Sequence, residues 1–249
     1  MNTQPSMLFK RQSSPKISVI TVCYNSAQTI RRTLASVVGQ TYQNVEYIIV
    51  DGGSSDETLV IVDDYGHAVS KIISEPDQGV YDAMNKGIGV ATGDWIHILN
   101  SDDFYAAPDV LQTAVKTLDP DRTNYFSMWR EFADASRYLQ DWNYSRWRLF
   151  VSAFLPHPAL IVSRMQYDAV GLYDTRYTIA ADHDMILRLT VKWPGLKHDM
   201  PLTVMLQGGL SEVNMGASLL EFRAVTERQG LPKFAGACLL ALKRIWWRM

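Results

Sequence analysis

Four short runs rich in β-branched and aromatic residues constrain the fold more tightly than any other feature: ISVITVCY (17–24), VEYIIV (45–50), VSKIIS (69–74) and DWIHILN (94–100). Near-continuous apolar runs of this length suit strands buried on both faces. Between the first two, AQTIRRTLASVVGQ sets Ile30, Leu34, Val37 and Val38 at helical spacing and stops at Gly39. DGGSSDET then opens a second helix, with Ser54 and Glu57 forming an S-x-x-E capping box. GVYDAMNKGIGVA supplies a third helix that turns Tyr81, Met84 and Ile88 inward. This βαβα alternation predicts a mainly parallel sheet with right-handed crossovers, which binds ligands beyond the carboxyl ends of its strands. Polar residues fall at those ends: Tyr24 and Asn25, Asp51 to Ser54, Glu75 to Gln78, and Asp102 with Asp103. Neither GxGxxG nor GxxxxGK[ST] follows the first strand, so neither the dinucleotide fingerprint nor the P-loop accounts for the crevice.

The second half is less regular. APDVLQTAVKTLD reads as a helix with proline in its first turn, YFSMWREFADASRYLQDW as a two-stranded hairpin, ALIVS as a strand, ADHDMILRLT as a helix and LTVMLQ as a final strand. No linker or repeat divides the halves. The expected organisation is a flexible segment 1–15, one domain over 16–215 with halves 16–107 and 108–215, and C-terminal helices over 216–249. With 47% apolar and 20% charged residues the composition is ordinary for a globular chain, and 24 Lys plus Arg against 26 Asp plus Glu gives no global field to hold nucleic acid. Cys23 and Cys238 match no metal or redox spacing, and the polar N-terminus has no apolar h-region, so a cytoplasmic protein without a disulfide is expected.

Two sets of residues suggest chemistry. In NSDDF the adjacent carboxylates Asp102 and Asp103 repel one another unless water or a cation intervenes. By itself the dipeptide reads as a polar turn; at the end of a parallel strand it reads as a site for magnesium or manganese with positions left open for phosphate oxygens. Asp182 opens a helix whose dipole favours the ionised carboxylate, which suits either a plain N-cap or a general base.

The ordered segments ISVITVCYNS, VDGGSSDET, SEPDQGVYDAMNKGI, GDWIHILNSDD and ADHDMILRL resemble the family 2 glycosyltransferases of the GT-A fold over roughly 16–210, and among them the transferases of exopolysaccharide clusters, including the colanic acid type. The resemblance implies a Rossmann-like α/β domain, a less regular acceptor-side half, a nucleotide-sugar donor, and a divalent metal. It implies that Thr21, Tyr24, Asn25 and Asp51 hold the nucleotide, that Asp77 lies against nucleotide and sugar, that Asp102 reaches the ribose or sugar, that Asp103 binds the metal, and that Asp182 is the catalytic base of an inverting transfer. Ser101 and Ala181 stand where many relatives carry a further acidic residue. His157, in LPHPALIVSR, lies in a segment similar to a family motif near the acceptor, or is structural. Gly208 and Gly209 suit a tight turn or a loop closing over the donor. A sugar nucleotidyltransferase would want a Gly-rich basic loop after the first strand, which TVCYNSAQT is not; a non-catalytic relative that only binds the nucleotide sugar is the other alternative.

The segment LPKFAGACLLALKRIWWRM, placed on a helix, gathers Phe234, Cys238, Ala241, Leu242, Ile245 and Met249 on one face and Lys233, Lys243, Arg244 and Arg248 on the other. It is shorter than the roughly 20 apolar residues that span a bilayer, and suits either the inner surface of the cell membrane, beside a lipid-linked saccharide acceptor, or docking on the domain.

Overall fold

The computed structural model describes residues 14–143, 145–151, 155, 157–208 and 214–232. Strands β1 (Ile17–Cys23), β2 (Val45–Asp51), β3 (Lys71–Ser74) and β4 (Trp95–Ile98) form the parallel part of the sheet in the order β3-β2-β1-β4. Helices α1 (Ile30–Val38), α2 (Thr58–Asp63) and α3 (Val80–Val90) connect them. Every residue of β1 is buried, as the apolar run requires, and its side chains alternate between two cores. Ile20 and Val22 pack with Ile48, Val50 and α3 on one face, while Ile17, Val19 and Cys23 pack with Tyr47, Ile49 and α1 on the other. Fully burying each such Ile or Val side chain contributes about 1.5–3 kcal/mol, so this double-faced burial is what fixes the strands at the centre. Gly87 lets α3 approach closely, because a Cβ there would meet Ile20 Cγ2 at 2.4 Å.

Beyond β4 the sheet continues through β8 (Leu160–Ser163), β6 (Thr123–Glu131), β9 (Gly195–Leu206) and β5 (Phe104–Tyr105), with β7 (Arg137–Gln140) paired to β6 as the predicted hairpin. Here the pairing turns mixed: β4–β8, β8–β6 and β5–β9 are antiparallel, and β6–β9 is parallel with register shifts between Phe126 and Met128. Helices α4 (Val110–Ala114), α5 (Arg146–Val151), α6 (Arg164–Val170) and α7 (Ala181–Lys192) belong to this half, and α8 (Met215–Arg228) follows it.

Several expectations need correction. Val38 is 37% exposed, and Thr33 takes the inward place on α1 instead. Ser54 and Glu57 form no capping box: the Ser54 hydroxyl donates to Asp51, and the Asp56 carboxylate accepts the Thr58 amide at the start of α2. A capping box does occur at Ser163 and Gln166, where it fixes the exit of the chain from β8 into α6. The helix after Pro108 is regular only over α4. On α8, Val225 belongs to the same core cluster as Met185 and Ile186 of α7. Residues 233–249, with the basic face of the tail, and Gly209 lie outside the described residues. Among the described residues no helix is long and apolar enough to cross a membrane.

Candidate functional site

The polar residues at the carboxyl ends of β1 to β4 meet in one place. At the end of β2, Asp51 is fully buried and its carboxylate accepts from the Gly53 amide at 3.1 Å, the Ser54 amide at 3.1 Å, and the Ser74 hydroxyl at 2.8 Å. Those bonds occupy it entirely within the protein. It shapes the loop after β2 and pins that loop to the end of β3. Burial, with Asp51 beside it, pushes the Cys23 thiol far up, so Cys23 remains an unreactive thiol.

Asn25 adopts a left-handed backbone at φ 49, and its side-chain carbonyl accepts the Ser55 amide at 2.9 Å, joining the β1 loop to the β2 loop. Tyr24 is 64% exposed. Between these loops Gly52 lets the Asp77 carboxylate and the Tyr24 ring pack close to the backbone, because a Cβ there would lie 2.4 Å from Asp77 Oδ2 and 3.4 Å from the Tyr24 ring. Asp77 is held by the Gly79 amide at 2.8 Å, which leaves its second oxygen facing Gly52. This meeting point of Tyr24, Gly52 and Asp77 lies beyond the ends of β1 and β2. Thr21 is not brought to it: its hydroxyl lies in the core, 3.1 Å from the Tyr47 hydroxyl. The alternation of β1 that buries Val19 and Cys23 against α1 buries Thr21 with them.

At the end of β4, Ser101 bonds Ser26 at 2.8 Å and ties this turn to the β1 loop. Asp103 is 1% exposed, and its backbone carbonyl accepts from the Thr33 hydroxyl at 2.7 Å, while its carboxylate oxygens make no hydrogen bond of full geometry among the described residues. Burial drives its pKa well up, and the neighbouring Asp102 charge adds to this, offset in part by the Leu206 backbone amide. Asp102, less buried, is raised by the same desolvation and pulled back by its own backbone and by His157. Two carboxyl groups whose ionised forms are both disfavoured are relieved either by taking up a proton or by a cation beside them. The donor chemistry fits a hard divalent cation. Among the described residues no group of three or more His, Cys, Asp or Glu side chains is placed to hold a metal ion.

Asp182 stands at the first turn of α7 with 28% of its side chain exposed. Its Oδ1 accepts the His183 amide at 2.7 Å and lies 3.3 Å from the Tyr81 hydroxyl, while Oδ2 lies 3.8 Å from His157 Nδ1. Burial pushes its pKa up, but His157 and His183 outweigh that and hold the carboxyl below the usual range. The Tyr81 phenol, raised by burial and by the Asp182 charge, stays a donor. The other ring nitrogen of His157 lies 3.3 Å from Asn100 Oδ1, in the turn that carries Asp102 and Asp103. His157 thus spans the two sets of carboxylates. It is itself fixed from below by His97, whose Nε2 bonds the Pro158 carbonyl and whose Nδ1 bonds the Tyr105 hydroxyl. Burial lowers His97 to about 4, so it is neutral and Nε2 carries the proton. Sequence spacing alone leaves His157 undecided; its place between two prolines ahead of a buried strand was the available signal.

Residues 18–171 match the profile described as glycosyl transferase family 2. An uncharacterized glycosyltransferase of Mycobacterium tuberculosis is 35% identical over 183 residues, 71% of this chain and 69% of that one. A PGL/p-HBAD biosynthesis glycosyltransferase of Mycobacterium bovis is 30% identical over 179 residues, 71% and 70% of the two chains. Among solved structures, Staphylococcus aureus TarS 1-349 in complex with UDP-GlcNAc superposes with a TM-score of 0.69 at 19% identity, over 91% of this chain and 70% of that one. The chain spans 42% of a longer TarS chain. Mannosyltransferase PcManGT from Pyrobaculum calidifontis, in complex with GDP-Man and Mn2+, superposes with a TM-score of 0.66 at 18% identity, over 94% and 70%. The mixed α/β architecture with its curled sheet is the GT-A fold of these structures.

Proposed function

The chain belongs to glycosyl transferase family 2, and from that premise we propose a metal-dependent inverting transferase that moves a sugar from a nucleotide-diphosphate donor to a lipid-linked oligosaccharide in exopolysaccharide or other surface polysaccharide synthesis. The observation that carries this reading is the His157 bridge, which sets Asp182 across from the Asp102–Asp103 turn with one imidazole between them. One base and one anion-facing site on opposite sides of a sugar are what a single displacement needs.

We assign the base of the nucleotide to the side of Tyr24 and Asp77, with Asn25 and Asp51 acting by holding the two loops that carry them. Asp102 faces the ribose or sugar. Asp103, with Asp102 beside it, would hold magnesium or manganese, which supplies Lewis-acid stabilisation of the departing diphosphate when bound. The neighbour crystallised with GDP-Man and Mn2+ supports this choice of ion. Asp182, ionised, accepts the proton of the acceptor hydroxyl as its oxygen bonds the anomeric carbon and the bond to the diphosphate breaks on the opposite face. Tyr81 and His157 hold that carboxylate in place.

We assign the reaction to the cytoplasmic side of the membrane, with the basic residues Lys233, Lys243, Arg244 and Arg248 as a peripheral contact. The test is a thermal-shift panel of UDP- and GDP-sugars with and without Mn2+, followed by transfer assays with the sugar that binds. Binding that needs the metal, with turnover abolished by Asp182→Asn, supports the reading. Turnover unchanged in Asp182→Asn refutes it.

A further inference from the structure

Glu221, on α8 and beyond the residues that match the family profile, grips the turn that leads into Asp182. Its carboxylate accepts from the Thr178 amide at 3.0 Å, the Thr178 hydroxyl at 2.7 Å, the Ile179 amide at 2.8 Å and the Ala180 amide at 2.9 Å. These are three successive backbone N–H groups pointing at one anion, immediately before a helix whose N-cap, Ala180, has no side chain able to cap it. A carboxylate there both satisfies the amides and complements the positive end of α7. The two neighbouring contacts run in the same direction: the His183 ring stacks on Phe222 at 4.6 Å, and Gln229 donates to Asp184 at 2.8 Å. One helix therefore holds residues 178–180, 183 and 184, on both sides of Asp182.

The same turn feeds the site. The Ile179 carbonyl, whose amide Glu221 holds, accepts the Tyr81 hydroxyl at 2.6 Å, and Tyr81 is the side chain 3.3 Å from Asp182 Oδ1. Release of the turn would let the carbonyl move, and with it the tyrosine and the carboxylate that faces His157.

We infer that Glu221 is a positioning residue for the general base: it fixes the 178–180 turn so that Asp182 stays against Tyr81 and His157, which makes α8 part of the catalytic unit. This rests on Asp182 being the base of the transfer. A displacement of about 1 Å at a reacting group can lower turnover by roughly 10²-fold, so the expected effect of Glu221→Gln is a fall in kcat of about 10- to 100-fold with donor KM within about 2-fold.

The experiment uses the full chain and the member of a panel of UDP-GlcNAc, UDP-glucose, UDP-galactose and GDP-mannose that wild type turns over fastest, together with a carbon-detected titration of the Asp182 carboxyl that needs no donor. Glu221→Gln is expected to lower kcat as stated and to return the Asp182 titration toward the ordinary carboxyl range, because the contact with His157 is lost. Arg223→Ala, which removes an ion pair with Glu227 on the same helix and touches nothing in the turn, should leave both readouts as in wild type. If Glu221→Gln does not fold, Thr178→Val, which deletes only the hydroxyl bond, should shift both readouts in the same direction by less. Wild-type kcat and titration in a folded Glu221→Gln, or an equal loss in Arg223→Ala, overturns the inference while Asp182→Asn remains inactive. An active Asp182→Asn instead overturns the functional reading beneath it.

Discussion

Replacing Asp103 by asparagine should stabilise the metal-free protein, although it removes a residue assigned to the site. The side chain is 1% exposed, and the Leu206 backbone amide offsets only part of the cost of burying its charge. Burial and the Asp102 charge raise its pKa, so at neutral pH the folded chain must either keep an unpaired buried charge or hold a proton that the unfolded chain releases. Leaving a buried polar group unsatisfied costs about 1–3 kcal/mol and more when it is charged. Taking up the proton sets the ceiling: at about 1.4 kcal/mol per pH unit, holding it at pH 7 against an ordinary carboxyl pKa near 4 costs roughly 4 kcal/mol. The neutral Asp103→Asn side chain avoids this charge-related cost. The predicted gain of about 1–4 kcal/mol corresponds to a melting temperature raised by about 3–15 °C for a chain of this size. The sign with pH follows from the raised pKa. Both states are protonated below about pH 4 and the gap between variant and wild type vanishes; it opens as pH rises and stops widening above the folded pKa. The assay is thermal unfolding in chelator from pH 4 to 8, repeated with excess Mn2+, which should raise wild type and leave Asp103→Asn unmoved. A variant that melts at or below wild type at pH 7 without metal, or a gap that does not close toward pH 4, refutes the reasoning.

Asp182→Asn should lower turnover by about 10²- to 10⁴-fold and leave nucleotide binding intact, read from kcat and from the thermal shift given by UDP or GDP. Because His157 and His183 hold the Asp182 carboxyl below the usual range, the acid limb of the kcat profile should fall only below that range; a limb near neutrality would count against Asp182 as the base. His157→Ala removes the largest of those downward influences, so the acid limb should move to higher pH, as measured by the pH dependence of kcat. Gly52→Ala places a methyl 2.4 Å from Asp77 Oδ2 and should weaken UDP or GDP binding by 10-fold or more, since an intruding methylene costs about 1–3 kcal/mol; calorimetric titration measures it.

The parallel half was legible in the sequence because strands buried on both faces leave little choice of residue: five of the seven residues of β1 are apolar, and its two hydroxyls, Ser18 and Thr21, are bonded to Glu46 and Tyr47. The mixed half was harder. β9 extends over Gly195–Leu206, but Lys197, His198, Asp199 and Pro201 interrupt any alternation: Lys197 points to Asp141 and Asp199, and Pro201 sits at the register shift against Ser127, where a missing N–H is tolerated. Asp102, Asp103 and Asp182 stand out in the sequence because a strand ends at the first two and a helix begins at the third. The state of Asp103 does not, because the charge of a buried carboxylate is a property of its neighbours in space. The same holds for Glu221, which meets its turn across 43 positions of sequence, and for His157, which reaches Asn100 across 57. A local pattern such as S-x-x-E can also mislead: Asp51 captures Ser54 before the helix can use it.

The most direct measurement is anomalous diffraction at the manganese edge from crystals grown with a bound nucleotide sugar. A peak within coordination distance of Asp103, with the anomeric carbon between the diphosphate and the Asp182 carboxylate, is the predicted result. A peak away from the Asp102–Asp103 turn, or a sugar whose anomeric carbon turns its back on Asp182, would contradict it.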